Sequence, residues 1–239
     1  MPAQSSCNNC GLHALCDGQR PAMALPNVQQ RRTPLATGDY LNWEGERATT
    51  LYAVRRGVLK SMSIDSDGNE RVRAFHMPGE LIGLDALHSG RHLSSVESLT
   101  ESDICELSFA GLEQALAVEP ALRRRMLEVF SVNLAAALNL GGDFTADQRI
   151  AAFLLDMAGR QNATGSRDVI RFDMSRRDIA NYLRLVTETV SRVLTRMRNA
   201  GVINVNRREL YILDFAALTR MAGPLAQTCN NASQHRRAA

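Results

Sequence analysis

Three of the chain's five cysteines, Cys7, Cys10 and Cys16, stand within ten residues of one another in the run CNNCGLHALC. A C-x2-C-x5-C spacing lets soft thiolates wrap one metal centre without a rigid scaffold, because short spacers keep the entropy of loop closure small. His13 lies inside the cluster and reads as a spectator, since a further thiolate is available elsewhere in the chain. Taken by itself, Cys105 reads as a packing thiol within a strand. Cys229, in the polar stretch AQTCNNASQHRRAA, reads as a bystander. Spacing alone does not separate a structural zinc site from an iron–sulfur centre.

A second set of residues has the chemistry to meet DNA. In the run from Ser175 to Gly201, at about 100° per residue, Glu188, Ser191, Arg192 and Thr195 share one side of a helix. Val190, Leu194 and Met197 share the other. An arginine and a glutamate one turn apart can bind guanine O6/N7 and a cytosine amino group in a major groove. The plain alternative is a solvated face with an i, i+4 ion pair. Context favours DNA. Ser175 with Asp178 forms a variant capping box, Ile179 and Leu183 give the first helix a buried face, and Ala200-Gly201 ends the second. Two strand-like runs follow, 202–205 and 210–213, in the order of a winged helix-turn-helix. Between Arg171 and Glu209 nine arginines face four acids, a net of +5 where the whole chain carries +3. Phosphate contact requires such concentration.

The elements that must position these groups follow from punctuation. With 239 residues and 45% hydrophobic content, the chain can bury two modest cores. The segment 20–37, with three prolines and no clear period, reads as a linker with at most one helical turn. Glycines at 38, 45, 57, 68, 79 and 83 then separate short alternating runs at 40–43, 51–55, 58–64, 71–76, 94–99 and 104–107. Strands so spaced predict a double-sheet barrel or jelly roll, with a hairpin at Asp65–Asn69. A short helix over 109–117 and a longer one opened by Glu119-Pro120 come next. Along the longer helix Leu127, Ser131, Leu134 and Leu138 form a stripe at i, i+4, i+7 and i+11, the expected seam of a two-fold helix pair; the plain alternative is a helix buried on all sides within one chain. Gly141-Gly142 interrupts it as a hinge, and Phe215–Met221 makes a last small helix.

Other classes fit less well. No apolar run approaches membrane-spanning length, and MPAQSSC lacks the segments of a signal peptide, so a cytoplasmic, reducing setting is expected, where cysteines serve roles other than disulfides. His88 and His92 lie four residues apart in a loop and read as surface residues. No paired base, nucleophile or phosphate-cradling loop accompanies them, so an enzyme is not expected.

With barrel, seam helix and winged reading head in that order, the chain resembles the CRP/FNR family of bacterial transcription regulators. Similarity runs from Cys7 to Ala222 and includes FHMPGELIG, TADQRIAAF and the ETVSR core. The N-terminal C-x2-C-x5-C together with Cys105 in ICELSF is similar to the pattern of the oxygen-responsive FNR (fumarate and nitrate reductase regulator) branch. That resemblance implies a [4Fe–4S] cluster on Cys7, Cys10, Cys16 and Cys105. It also implies a base-reading trio of Glu188, Ser191 and Arg192 on TTGAT-like half-sites. Thr187, Arg177 and Arg207 complete the expected DNA-binding set. The implied partners are promoter DNA, a second copy of the chain and RNA polymerase, the last through barrel loops around Met77 to Leu84. The fold class so implied is α+β, with an N-terminal double-stranded β-helix (jelly-roll) sensor domain, a long dimerisation helix and a C-terminal winged helix-turn-helix domain. The expected division is a cysteine-rich arm (1–20), barrel (21–118), dimerisation helix (119–142), DNA-binding domain (143–225) and tail (226–239).

The same comparison sets the chain apart from the family's cyclic-nucleotide sensors, which bind ribose and phosphate with a glutamate and an arginine. Leu84 and Ser95 occupy those positions, and a buried phosphate without a cation is costly. Four further departures carry consequences. The linker after Cys16 is shorter than the FNR pattern and lacks its helix-forming stretch, which implies a more exposed and more labile cluster. Arg184 stands in the helix-turn-helix turn where the family has glycine, at about 1 kcal/mol if the backbone there takes positive φ. Val186-Thr187 replaces the family's threonine followed by an apolar residue. Leu134 takes the place of an acid in the seam and favours pairing. The competing reading keeps the reading head and gives the cysteines a structural zinc, or leaves them incidental to a barrel that senses a small molecule.

Overall fold

The computed structural model describes residues 31–139, 142–161 and 168–226, and its two compact units divide between Ser131 and Val132. Cys7, Cys10, His13, Cys16 and Cys229 lie outside the described residues.

The first unit is a jelly roll of two antiparallel four-stranded sheets. Its strands are β1 (Arg31–Leu35), β2 (Tyr40–Asn42), β3 (Thr50–Arg56), β4 (Leu59–Ile64), β5 (Glu70–His76), β6 (Leu81–Ile82), β7 (Ser95–Ser98) and β8 (Ser102–Ser108). One sheet runs β1-β8-β3-β6 and the other β2-β7-β4-β5. Alternation along the strands divides two apolar clusters. Val54, Leu59, Ile82, Val96 and Ile104 come from both sheets and fill the space between them. Leu51, Ala53 and Leu107 face the other way, against Leu112 and Ala115 of helix α2 (Phe109–Val118) and Leu122 and Met126 of α3 (Pro120–Asn139). The hairpin at Asp65 forms as expected, its carboxylate accepting from the backbone N–H of Asp67 (3.0 Å) and Asn69 (2.9 Å). The sole lysine, Lys60, is 7% exposed in β4, 2.9 Å from Glu70 and 3.2 Å from Glu97.

Two expectations are corrected here. The end of the supposed linker is β1, paired to β8 in the register Arg31↔Glu106 to Leu35↔Ser102. Pro34 obscured it, yet β1 is an edge strand with one neighbour, where a missing N–H is tolerated. His92 is not a surface residue: it is 5% exposed and its ring stacks on Tyr52 at 6.2 Å. His88, exposed, lies in the one-turn helix α1 (Ala86–Ser89) rather than a loop.

Helix α3 begins at Pro120, whose absent N–H would have no helical partner there. Leu122 and Met126, both 2% exposed, turn inward, while Leu127 (65%), Phe130 (39%), Leu134 (62%) and Leu138 (70%) are bare, as is Ser131.

The second unit holds α4 (Ala146–Gln161), β9 (Val169–Arg171), α5 (Arg176–Tyr182), α6 (Thr187–Asn199), β10 (Ile203–Asn206), β11 (Glu209–Ile212) and α7 (Phe215–Ala222). Its three strands pair in the order β10-β11-β9. The core is made by Ile150, Leu154 and Met157 with Ile170, Met197, Ile203, Leu210 and Leu218, all under 2% exposed. Strand β9 was invisible to pattern because three residues are too few to show a period. No helix among the described residues is long and apolar enough to cross a membrane.

Burial pushes the His92 imidazole below its ordinary value of 6.5. The unfolded chain therefore takes up this proton at higher pH than the folded one, so the stability present above the unfolded value is lost as pH falls through the folded value. The urea midpoint of the parent should drop more steeply between about pH 7.5 and 5 than that of His92→Gln. Parallel pH profiles would show that His92 does not contribute.

Candidate nucleic-acid interface

The reading head is assembled from two short helices that its sequence caps and closes. At the start of α5 the Ser175 hydroxyl accepts from the Asp178 N–H (3.1 Å), and the Asp178 carboxylate accepts from the Ser175 N–H (3.0 Å). This reciprocal box satisfies two donors that a helix start leaves orphaned. At the other end the Leu185 N–H reaches the Ala180 carbonyl (2.8 Å) and the Arg184 N–H reaches that of Asn181 (3.1 Å). These are the paired bonds of a Schellman closure, which needs a left-handed residue between them. That residue is Arg184, at φ +56°. The strain anticipated for an arginine in a glycine position is therefore present.

Arg149 of α4, which sequence reasoning passed over, braces this turn. Its guanidinium donates to the carbonyls of Gly142 (3.0 Å), Phe144 (3.1 Å) and Leu183 (3.2 Å). The segment entering α4 and the turn between α5 and α6 thus share one rigid planar donor. The sequence signal was its place in the TADQRIAAF run, directly before the apolar stretch Ile150–Leu155.

Helix α6 divides as its periodicity requires. Val190, Val193, Leu194 and Met197 are buried, while Thr187, Glu188, Arg192 and Thr195 are exposed and Ser191 is half-exposed. Glu188 and Arg192 pair at 2.5 Å with both side chains about 70% exposed, so water or a base edge can compete for either. The Thr195 hydroxyl donates back to the Ser191 carbonyl at 2.9 Å. Ser191 Oγ lies 3.4 Å from an Arg176 nitrogen, a link between the two helices. Val186 occupies the N-cap without a side-chain cap bond and is 66% exposed.

The basic set is smaller than the count of arginines suggested. Arg196 donates to both Asp147 oxygens at 2.7 Å and ties α6 to α4, and Arg171 pairs with Asp173 at 3.0 Å. Arg177, Arg184, Arg198, Arg207 and Arg208 remain exposed. The last two form the tip of the β10–β11 hairpin, between the paired Asn206 and Glu209, with Arg207 at φ +53°.

Cys105 is the one residue of the expected ligand set that the structure places. It stands half-buried in β8, opposite Arg32 on β1 and Ala53 on β3. It packs with the outer cluster that contains Leu122 and Met126 of α3. Among the described residues no group of three or more His, Cys, Asp or Glu side chains is placed to hold a metal ion. Leu84 packs on the same cluster, and Ser95 accepts the Glu44 N–H at 2.9 Å, so neither supplies charge for a cyclic nucleotide.

Replacing Ser175 with alanine should cost the second unit about 1 kcal/mol in chemical denaturation, because its hydroxyl is the acceptor that caps the Asp178 N–H. A change below a few tenths would mean that the box does not hold α5.

Comparison with known proteins agrees with this architecture. A Crp-like helix-turn-helix domain matches residues 148–221, and a cyclic nucleotide-binding domain matches residues 32–119. The transcriptional activator protein Anr of Pseudomonas protegens is 36% identical over 228 residues, covering 92% of this chain and 93% of that protein. The fumarate and nitrate reduction regulatory protein of Escherichia coli K12 is 33% identical over 225 residues, covering 91% and 90%. Among solved structures, FixK2 from Bradyrhizobium japonicum superposes with a TM-score of 0.73 at 28% identity, covering 81% of this chain and 98% of that one.

Proposed function

This chain belongs to the CRP/FNR family of transcription regulators, and from that premise we propose that it is an FNR-type sensor of oxygen, nitric oxide or redox state. It is a DNA-binding regulator and not an enzyme. In our reading Cys7, Cys10, Cys16 and Cys105 hold a [4Fe–4S] cluster, and the chain works in the cytoplasm as a homodimer on inverted TTGAT-like sites.

The observation that carries this reading is the place of Cys105. The donor set is four soft thiols, as an iron–sulfur centre requires. Cys105 is fixed between two hydrogen-bonded strands, and the strand beside it is the one that leads back to the cysteine arm. Between Cys16 and Arg32 lie 15 residues. Extended, they span about 50 Å, ample for the three N-terminal thiols to reach Cys105. Bound there, a [4Fe–4S] cluster would supply an oxidant-labile crosslink between arm and barrel.

The protein's own residues convert that crosslink into a change at DNA. Cys105 shares its apolar cluster with Leu122 and Met126, so constraint at Cys105 bears on the first turns of α3. On the same helix Leu127, Phe130, Leu134 and Leu138 expose an apolar stripe, which a second copy of the helix would cover. Family members act as dimers, and pairing sets the spacing of two reading heads to about one helical turn of DNA. Each α6 would enter the major groove, with Arg192 on guanine, Glu188 on cytosine and Ser191 and Thr187 beside them, while Arg177 and Arg207 grip phosphates. Barrel loops around Met77 to Leu84 would meet RNA polymerase. In this reading the arm spans 1–20, the barrel 21–118, the dimerisation helix 119–142, the DNA-binding domain 143–225 and the tail 226–239.

Arg192→Ala should lose about 1–3 kcal/mol on a specific site and relax preference at one base position. Arg207→Gln should weaken all sequences alike and flatten the salt dependence. Identical behaviour of the two would refute base reading by α6. For the sensor, anaerobically purified protein should be brown, with visible absorption that bleaches in air, and Cys105→Ser should abolish both the colour and the cellular response. A colourless protein with one zinc per chain would end the sensor proposal. An unaltered response in Cys105→Ser would favour a small-molecule signal instead.

A further inference from the structure

We propose that Arg184 is a DNA-backbone contact placed at the turn of the helix-turn-helix, retained there although its conformation weakens the fold. The inference rests on α6 being the helix that enters the major groove. Among the described residues only two non-glycine positions have positive φ, Arg184 and Arg207, against nine glycines. At such positions an L side chain crowds the backbone, and glycine or asparagine relieves the strain. Both strained residues are arginines, both are exposed, and both lie in turns of the DNA-binding unit.

Geometry makes the first a clamp rather than a loose charge. Arg184 stands three residues ahead of Thr187, the first residue of α6. A helix whose N-terminal end enters a groove about 12 Å wide carries the residues just before it past a phosphate strand. The turn is closed on one side by the Ala180 and Asn181 carbonyls, and the Leu183 carbonyl, in the peptide that joins Leu183 to Arg184, is held by Arg149. The Arg184 Cα is thereby fixed, which reduces the ordering a phosphate contact would still require. Neighbouring guanidiniums are engaged, Arg192 by Glu188 and Arg196 by Asp147, whereas Arg184 has no acidic partner among the described residues. A cation at the end of α5 also gains from the helix dipole, a purely structural role. The salt dependence of binding separates the two.

The test uses the full-length chain, purified anaerobically, with an inverted-repeat TTGAT duplex and a scrambled duplex. Arg184→Gly should raise the thermal midpoint by about 2–4 °C. It should also weaken binding to both duplexes and lower the log–log salt slope by about 0.9 per protomer. Arg184→Gln removes charge and keeps the conformation, so it should show the same slope change without the thermal gain. Arg184→Lys should retain the slope. Stabilisation by Arg184→Gly with slope and affinity unchanged would overturn the proposal and leave a helix-end cation. Arg192→Ala on the same duplexes keeps the premise separate: if it leaves sequence preference intact, base reading fails, while a slope change at Arg184 would still establish the backbone contact.

Discussion

One antiparallel register, Arg32 opposite Cys105, governs how the two halves of the candidate sensor can meet. Backbone hydrogen bonds along β1 and β8 fix it over five residue pairs. A slip of one residue would turn Cys105 from the outer face, where it joins the cluster around Leu122 and Met126, to the inner face with Ile104. The period of two along β8 thus decides whether a thiol lies next to the long helix or is sealed between sheets. Nothing about cysteine chemistry sets this; the apolar pattern Ile104, Leu107 and the packing of α2 and α3 do.

The reading head shows the opposite economy. The second unit departs from local preference at three points: Arg184 and Arg207 at positive φ and Val186 at an N-cap without a side-chain bond. Its compensation is elsewhere, in the Ser175–Asp178 box, the Arg149 brace and the Arg196–Asp147 tie. Local and global preferences conflict where a surface must serve a partner rather than the fold. Rigid supports around unfavourable turns keep the exposed face of α6 in place.

Long, strongly periodic stretches were legible in the sequence: six barrel strands, the helix pair of the reading head, the capping box, and the stripe from Leu127 to Leu138. What escaped notice was short or set by distant partners. Strand β1 contains Pro34, and its existence depends on β8 some 70 residues away. Strand β9 has three residues. His92 is buried by stacking on Tyr52, a contact that no local pattern announces. Counting arginines overstated the basic face, because Asp147 lies 49 residues before the Arg196 it neutralises. The helix-turn-helix glycine position, by contrast, could be foreseen from family resemblance, and the left-handed backbone at Arg184 bears out the physical reason.

The solitary lysine has a consequence for regulation. Lys60 sits at 7% exposure between two carboxylates, so its ε-amine is shielded from acyl donors. Every other side-chain cation except histidine is a guanidinium, which keeps its charge throughout the biological pH range. Acetylation, which silences lysine-rich DNA-binding surfaces by erasing charge, has no ε-amine to act upon at this one.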